Sequence, residues 1–188
     1  MGKIKRLGLA ALILLVVAGI GFAQGEKGRL AIVGVPEDRA VGRYDPEEGV
    51  FYADVREIPE AQIQVEMDGV RLSGRELEWR TKDNYLLLRE AVHLERDDFE
   101  LTADLVEYFG DQDRLTALGS VVVVTEDATI YCQQLVYDEE VDQAVFTGQV
   151  RVEFGDGVLV GEKFVMLMGK SELQFFGAFQ GEFDLDSN

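Results

Sequence analysis

Few side chains in this chain are suited to covalent or acid–base chemistry. The only histidine, His93, lies between Val92 and Leu94 in an alternating stretch, which sets it on the polar face of a strand. The only cysteine, Cys132, has no partner for a disulfide. It shares a column of small residues with Gly74, Ala103 and Gly161, as a buried small hydrophobe would. Carboxylates are abundant, with 36 Asp and Glu against 18 Lys and Arg. The acidic clusters Asp111–Asp113 and Asp138–Glu140 lack the fixed ligand spacing of a divalent-cation loop. No Gly-x-Ser-x-Gly elbow, phosphate loop or metal-ligand cluster occurs. The reading is a chain without catalytic residues, metal or cofactor. Trp79, Tyr108 and Tyr137 have the chemistry of a stacking platform for a sugar or base. Their column continues to Met166, however, which suits an apolar core or groove better.

What positions these residues is a repeat of 29 residues. Leu77, Val106, Leu135 and Phe164 are one step apart, as are Val92, Val121, Val150 and Phe179. A glycine recurs at Gly119, Gly148 and Gly177, with Glu90 as the one departure. A fixed period means one supersecondary unit stacked on itself, with the core shared between copies.

Inside the unit, Phe146, Val150, Val152 and Phe154 alternate with Thr147, Gln149, Arg151 and Glu153, the period-two pattern of a half-buried strand. Leu135 and Tyr137 indicate a second, shorter strand. Asp138–Glu140 and Gly155–Gly157 read as the turns between them. Helical spacing is absent after residue 28. The glycine column lies on the inward parity, where it is expected to crease the sheet. It leaves open either curvature alone or room for a ligand against the crease. With Glu90 in place of glycine, the first strong copy is expected to lack that crease.

The N-terminus has three positive charges in MGKIKR, then an apolar run over residues 7–23 ending in Gly21-Phe22-Ala23. This is the pattern of a signal peptide cleaved after Ala23, with export as the consequence; an uncleaved inner-membrane anchor is the alternative. No cysteine near residue 23 offers a lipoprotein anchor. The remainder, 24–188, is read as one domain: strong repeats over 73–184, a degenerate one over 44–72 interrupted by Pro46 and Pro59. The formal charge is −18, and loss of Lys3, Lys5 and Arg6 with the leader makes it −21. Such a surface repels phosphate backbones and excludes nucleic acid as a partner.

The residues Ala103-Asp104…Tyr108…Ala117-Leu118-Gly119-Ser120-Val121 and Leu135-Val136-Tyr137…Phe146-Thr147-Gly148-Gln149-Val150 carry a resemblance. Over residues 73–183 the chain resembles the OstA-like family of lipopolysaccharide-transport proteins, the periplasmic LptA type with its LptC and LptD N-terminal relatives. The resemblance implies an all-β fold, an open V-shaped antiparallel β-jellyroll. It also implies an apolar interior that carries the acyl chains of lipopolysaccharide or a related lipid, and edge-to-edge joining with other jellyrolls. A parallel β-helix shares the long period and is the fold alternative.

The expected lipid-facing set is Leu77, Trp79, Val92, Val106, Tyr108, Val121, Leu135, Tyr137, Phe146, Val150, Val152, Phe164, Phe175 and Phe179. The competing reading is an envelope scaffold in which the same residues fill a dry core. The last strand, Leu173–Phe183, contains neither proline nor lysine, and its outward residues Gln174, Phe176, Ala178 and Gln180 are uncharged. It is therefore expected to accept another strand, in a homo-oligomer or from a related jellyroll, unless residues 24–43 fold back over it.

Overall fold

A computed structural model describes residues 29–183, except 68, 97, 98, 156, 168, 169 and 171. The expected signal peptide 1–23, Asp156 of the expected turn and residues 184–188 lie outside the described residues. Thirteen strands follow one another: β1 (Arg29–Val33), β2 (Gly42–Asp45), β3 (Val50–Asp54), β4 (Gln62–Met67), β5 (Val70–Gly74), β6 (Glu76–Arg80), β7 (Tyr85–Arg96), β8 (Phe99–Phe109), β9 (Arg114–Thr125), β10 (Ala128–Asp138), β11 (Gln143–Phe154), β12 (Gly157–Leu167) and β13 (Glu172–Phe183). Every pairing is antiparallel, which excludes the β-helix. The sheet is open: β1, β2 and β13 each pair on one side only.

From β7 onward the sheet is a plain meander. Before it, the chain forks. β7 pairs with β6 through its first half and with β5 through its second, and each continues outward as a separate arm, β6-β3-β2 and β5-β4-β1. The period explains the fork. Residues 70–80 stand 29 before β8, yet they form two strands broken at Arg75. The residues 29 before β7 are likewise interrupted, by a loop carrying Pro59, which cannot donate to a ladder.

Within a repeat the two strands are nearly equal, 11 residues in β10 and 12 in β11. The shorter strand inferred from Leu135 and Tyr137 alone was underestimated, because Ala128, Ile130 and Cys132 continue its buried face. Between Cys132 and Leu135 the buried parity slips by one, which hides the continuity from a strict period-two reading.

That slip marks the crease. Opposite it each long strand carries one extra residue, so the ladder skips between Arg89 and Val92 and between Thr147 and Val150. Gly119, Gly148 and Gly177 sit there with φ of 75°, 81° and 85°, and Ser120 and Gln149 follow with positive φ as well. A β-bulge bends the strand and strengthens its twist. The expectation that Glu90 abolishes the crease fails: Glu90 and Ala91 have φ of 59° and 50°, and the bulge forms without glycine.

The crease folds the sheet so that its halves face each other. Leu94, Leu101 and Val123 from one half line the same apolar space as Leu115, Leu135, Tyr137 and Phe146 from the other. One continuous core cluster results, from Ala53 to Met166. Residues 29–33 pair with β4 and 42–45 with β3, so the segments at hand do not fold back over β13.

Candidate functional site

The interior between the half-sheets is the site the inward columns build. Leu77, Val92, Val106, Tyr108, Val121, Leu135, Tyr137, Phe146, Val150, Val152 and Phe164 are all buried in it. Trp79 and Phe175 are partly buried against it. Gln149 and Arg151, neighbours of the fully buried Val150, are exposed, so the strand register agrees with the alternation. Phe179 stands apart: it belongs to the inward row, next to Gly161 and Val150, yet is 50% exposed.

The column of Trp79, Tyr108 and Tyr137 forms no stacking platform, in keeping with its reading as apolar core or groove. Trp79, Tyr108, Tyr137 and Met166 lie in one row across the sheet, but Leu86, Leu115 and Ala144 stand between them on the intervening strands. Stacked rings occur in Tyr44–Phe51–Trp79 at one end of the sheet and in Phe175–Phe179 at the other, where Phe164 meets Phe175 edge to face.

Two columns of small residues meet at the crease, and they do different things. Across the strands Gly74, Ala103, Cys132 and Gly161 face Ile63, Val92, Val121 and Val150. These small residues occupy the inside of the bend. A Cβ on Gly74 would come 3.2 Å from Leu88, and one on Gly161 2.5 Å from Phe164. The bulge glycines are expected on the inward parity, with curvature alone or room for a ligand left open, but Gly119 and Gly148 face the other way. A Cβ on Gly148 would come 2.8 Å from the exposed Gln133, and one on Gly119 would strike the exposed Asp104. They supply left-handed backbone, and the inside of the bend is filled at Gly74 by Leu88 and at Gly161 by Phe164.

Burial raises the pKa of the titratable groups on the inner face. Burial pushes the Cys132 thiol up to about 11 and, reinforced by Asp142, Glu139 and Asp138, the Tyr137 hydroxyl up to about 12. Tyr108 is raised further, first by burial and then by Asp113 and Glu139. The apolar space between the halves is only about 20 Å³, room for little more than one water.

The interior is covered unequally along the stack. At the β13 end Phe175, Phe179 and Phe183 lie on the inner face with no further strand over them among the described residues, and Phe179 and Phe183 are half exposed. Phe183 leans on Phe154, with ring centroids 5.9 Å apart. At the opposite end two segments cross between the arms, residues 34–41 and 55–61, and bury Val55, Ile58 and Ala61. The anchor of 55–61 is Arg75. Its guanidinium donates to the carbonyl oxygens of Val55 (3.1 Å), Arg56 (3.1 Å) and Ile58 (2.7 Å). Sequence reasoning missed Arg75. The signal was present, because its positions 29, 58 and 87 residues on hold Asp104, Gln133 and Glu162, never a cation.

Among the described residues, no group of His, Cys, Asp or Glu is placed to hold a metal ion. None of their helices is long and apolar enough to cross a membrane.

No protein-family model matches the sequence, and no curated protein does. Among solved structures the chain is similar to LptH, described as the LptA-homologous periplasmic component of the conserved lipopolysaccharide transport device from Pseudomonas aeruginosa. The match has a TM-score of 0.53 at 19% identity, covering 58% of this chain and 82% of that one. With its creased, unclosed antiparallel sheet, this chain has an LptA-like fold.

Proposed function

We propose that this protein is a non-catalytic periplasmic carrier that shields the acyl chains of lipopolysaccharide, or a lipid like it, on the way to the outer membrane. The observation that carries the reading is the inner apolar row, which is continuous from Leu77 to Phe164 and then runs out uncovered onto Phe175, Phe179 and Phe183. Each acyl methylene moved from water onto that surface gains about 0.8 kcal/mol. The fold shared with LptH supports the same reading, as does the leader pattern of residues 1–23. The free edge of β13 is the place where a related jellyroll, or a second copy, would add its own strand.

A second reading has an observation of its own. The 20 Å³ void favours an envelope scaffold with a dry core. Titration with a fluorescent fatty acid separates the two. A carrier takes up the probe saturably at low micromolar concentration; a scaffold shows only the weak, non-saturable rise of a surface.

A further inference from the structure

We propose that the interior is a blind cleft, stoppered at the β1–β3 end by loop 55–61 under the hold of Arg75, so that an acyl chain enters and leaves only by the β13 end. The inference rests on the carrier reading and adds a polarity to it.

Three observations carry it. The first is the loop itself. It joins β3 in one arm to β4 in the other, and so crosses the gap between the halves. Val55 and Ala61 are each 1% exposed, so it fills the end of the core and does not merely pass over it. Its own turns are closed by Ile58 N–H donating to Val55 O (3.0 Å) and Ala61 N–H to Ile58 O (3.3 Å).

The second is the way it is held. Arg75 occupies the break between β5 and β6, where the arms diverge, and its backbone joins both sides: its N–H donates to Arg89 O, and its carbonyl accepts from Val55 N–H. The Nη2 of its guanidinium then reaches three loop carbonyls, those of Val55, Arg56 and Ile58, in bonds strengthened by the donor's charge. Arg56, on the same loop, adds ion pairs to Asp54 (2.6 Å) and Glu76 (3.1 Å).

The third is a second layer. Residues 34–41 cross the same gap outside the loop, and Gly34, at φ 74°, packs so closely that a Cβ there would lie 3.1 Å from Glu60 O and 3.2 Å from Ala61 Cα. At the other end of the stack the inner face has no counterpart to either layer among the described residues.

Hydrogen exchange and lipid labelling test this together on the purified protein. In the unaltered chain the amides of Ile58 and Ala61 should exchange as slowly as those of β8–β11. Arg75→Gln should speed them at least about tenfold, as loss of charge-assisted bonds implies, while β8–β11 stay unchanged. Diazirine-labelled palmitate, photolysed and mapped by mass spectrometry, should label peptides around Phe154, Phe175 and Phe179 and spare 53–63; Arg75→Gln should raise labelling of 53–63 several-fold. Fast exchange of the loop in the unaltered chain overturns the stopper even where the variant fails to fold. Equal labelling at both ends overturns the blind cleft. A protected loop with no label anywhere overturns the carrier reading and leaves the stopper standing.

Discussion

Cys132 reports on the interior most directly. Its thiol lies at the inside of the bend against Val121, with its ionisation pushed up to about 11 by burial. In the folded protein it should therefore resist a thiolate-directed reagent at neutral pH, and react promptly once denaturant is added. The sign of its pH effect follows. The folded thiol holds its proton above the ordinary value of 9.0, so stability is complete below about pH 9 and declines as pH rises toward 11, because only the unfolded thiol ionises there. Urea midpoints measured across that interval against Cys132→Ala, which lacks the term, should isolate it. Glu139 behaves in the same sense at lower pH. Burial, Asp113 and Asp142 raise its carboxyl, so it costs stability once pH climbs past its ionisation. Glu139→Gln should raise stability at pH 7, by no more than a few tenths of a kcal/mol given solvent screening, and should change nothing at acid pH.

The bulge is the device that turns a flat meander into two facing layers. Much of it was legible as a 29-residue glycine column, and the fold class followed from alternation with two turns per repeat. The facing direction was not legible. Strict period two carries Gly148 inward with Phe146 and Val150, whereas two successive left-handed residues rotate the chain so that its hydrogen side faces Gln133. Nor could the composition show that Glu90 and Ala91 would accept the same backbone, since the neighbouring repeats impose the bend on them. That imposition has a cost of about 1 kcal/mol for a non-glycine residue in the left-handed region. Glu90→Gly should recover about that much, raising the melting temperature by about 2–4 °C, although it removes a loose 3.9 Å pair with Arg56. Gly148→Ala should lose about 1–2 kcal/mol, because φ is 81° and the new Cβ meets Gln133 at 2.8 Å. Differential scanning calorimetry on the two variants gives both signs. Arg75 was illegible for a related reason: the period says what belongs in a column, and the function of a residue that breaks the column depends on a loop brought in from twenty positions away.

Along the stack, charge and cover both change from one end to the other. Residues 97–188 hold twenty acidic side chains against four basic ones, and the preceding residues sixteen against fourteen. Copies that meet through β13 at both contacts would bring the two acidic halves together, whereas β13 against the β1 or β2 edge would not. Self-association should therefore grow with protein concentration and strengthen as salt is raised from ~0.01 M to ~0.15 M, where repulsion between surfaces is screened. Light scattering that finds a monomer at all concentrations and salts would leave β13 to a different jellyroll. The carrier reading itself makes one demand that neither a scaffold nor a simple core shares: lipid must touch the inward row and avoid the outward one. A photo-crosslinking amino acid placed in living cells at Phe146 or Phe179, inward, and at Gln149 or Arg151, outward and exposed, puts that demand to the test. The account predicts lipid adducts at Phe179 and Phe146 and none at Gln149 or Arg151. Equal capture from both faces, or none from either, would contradict it.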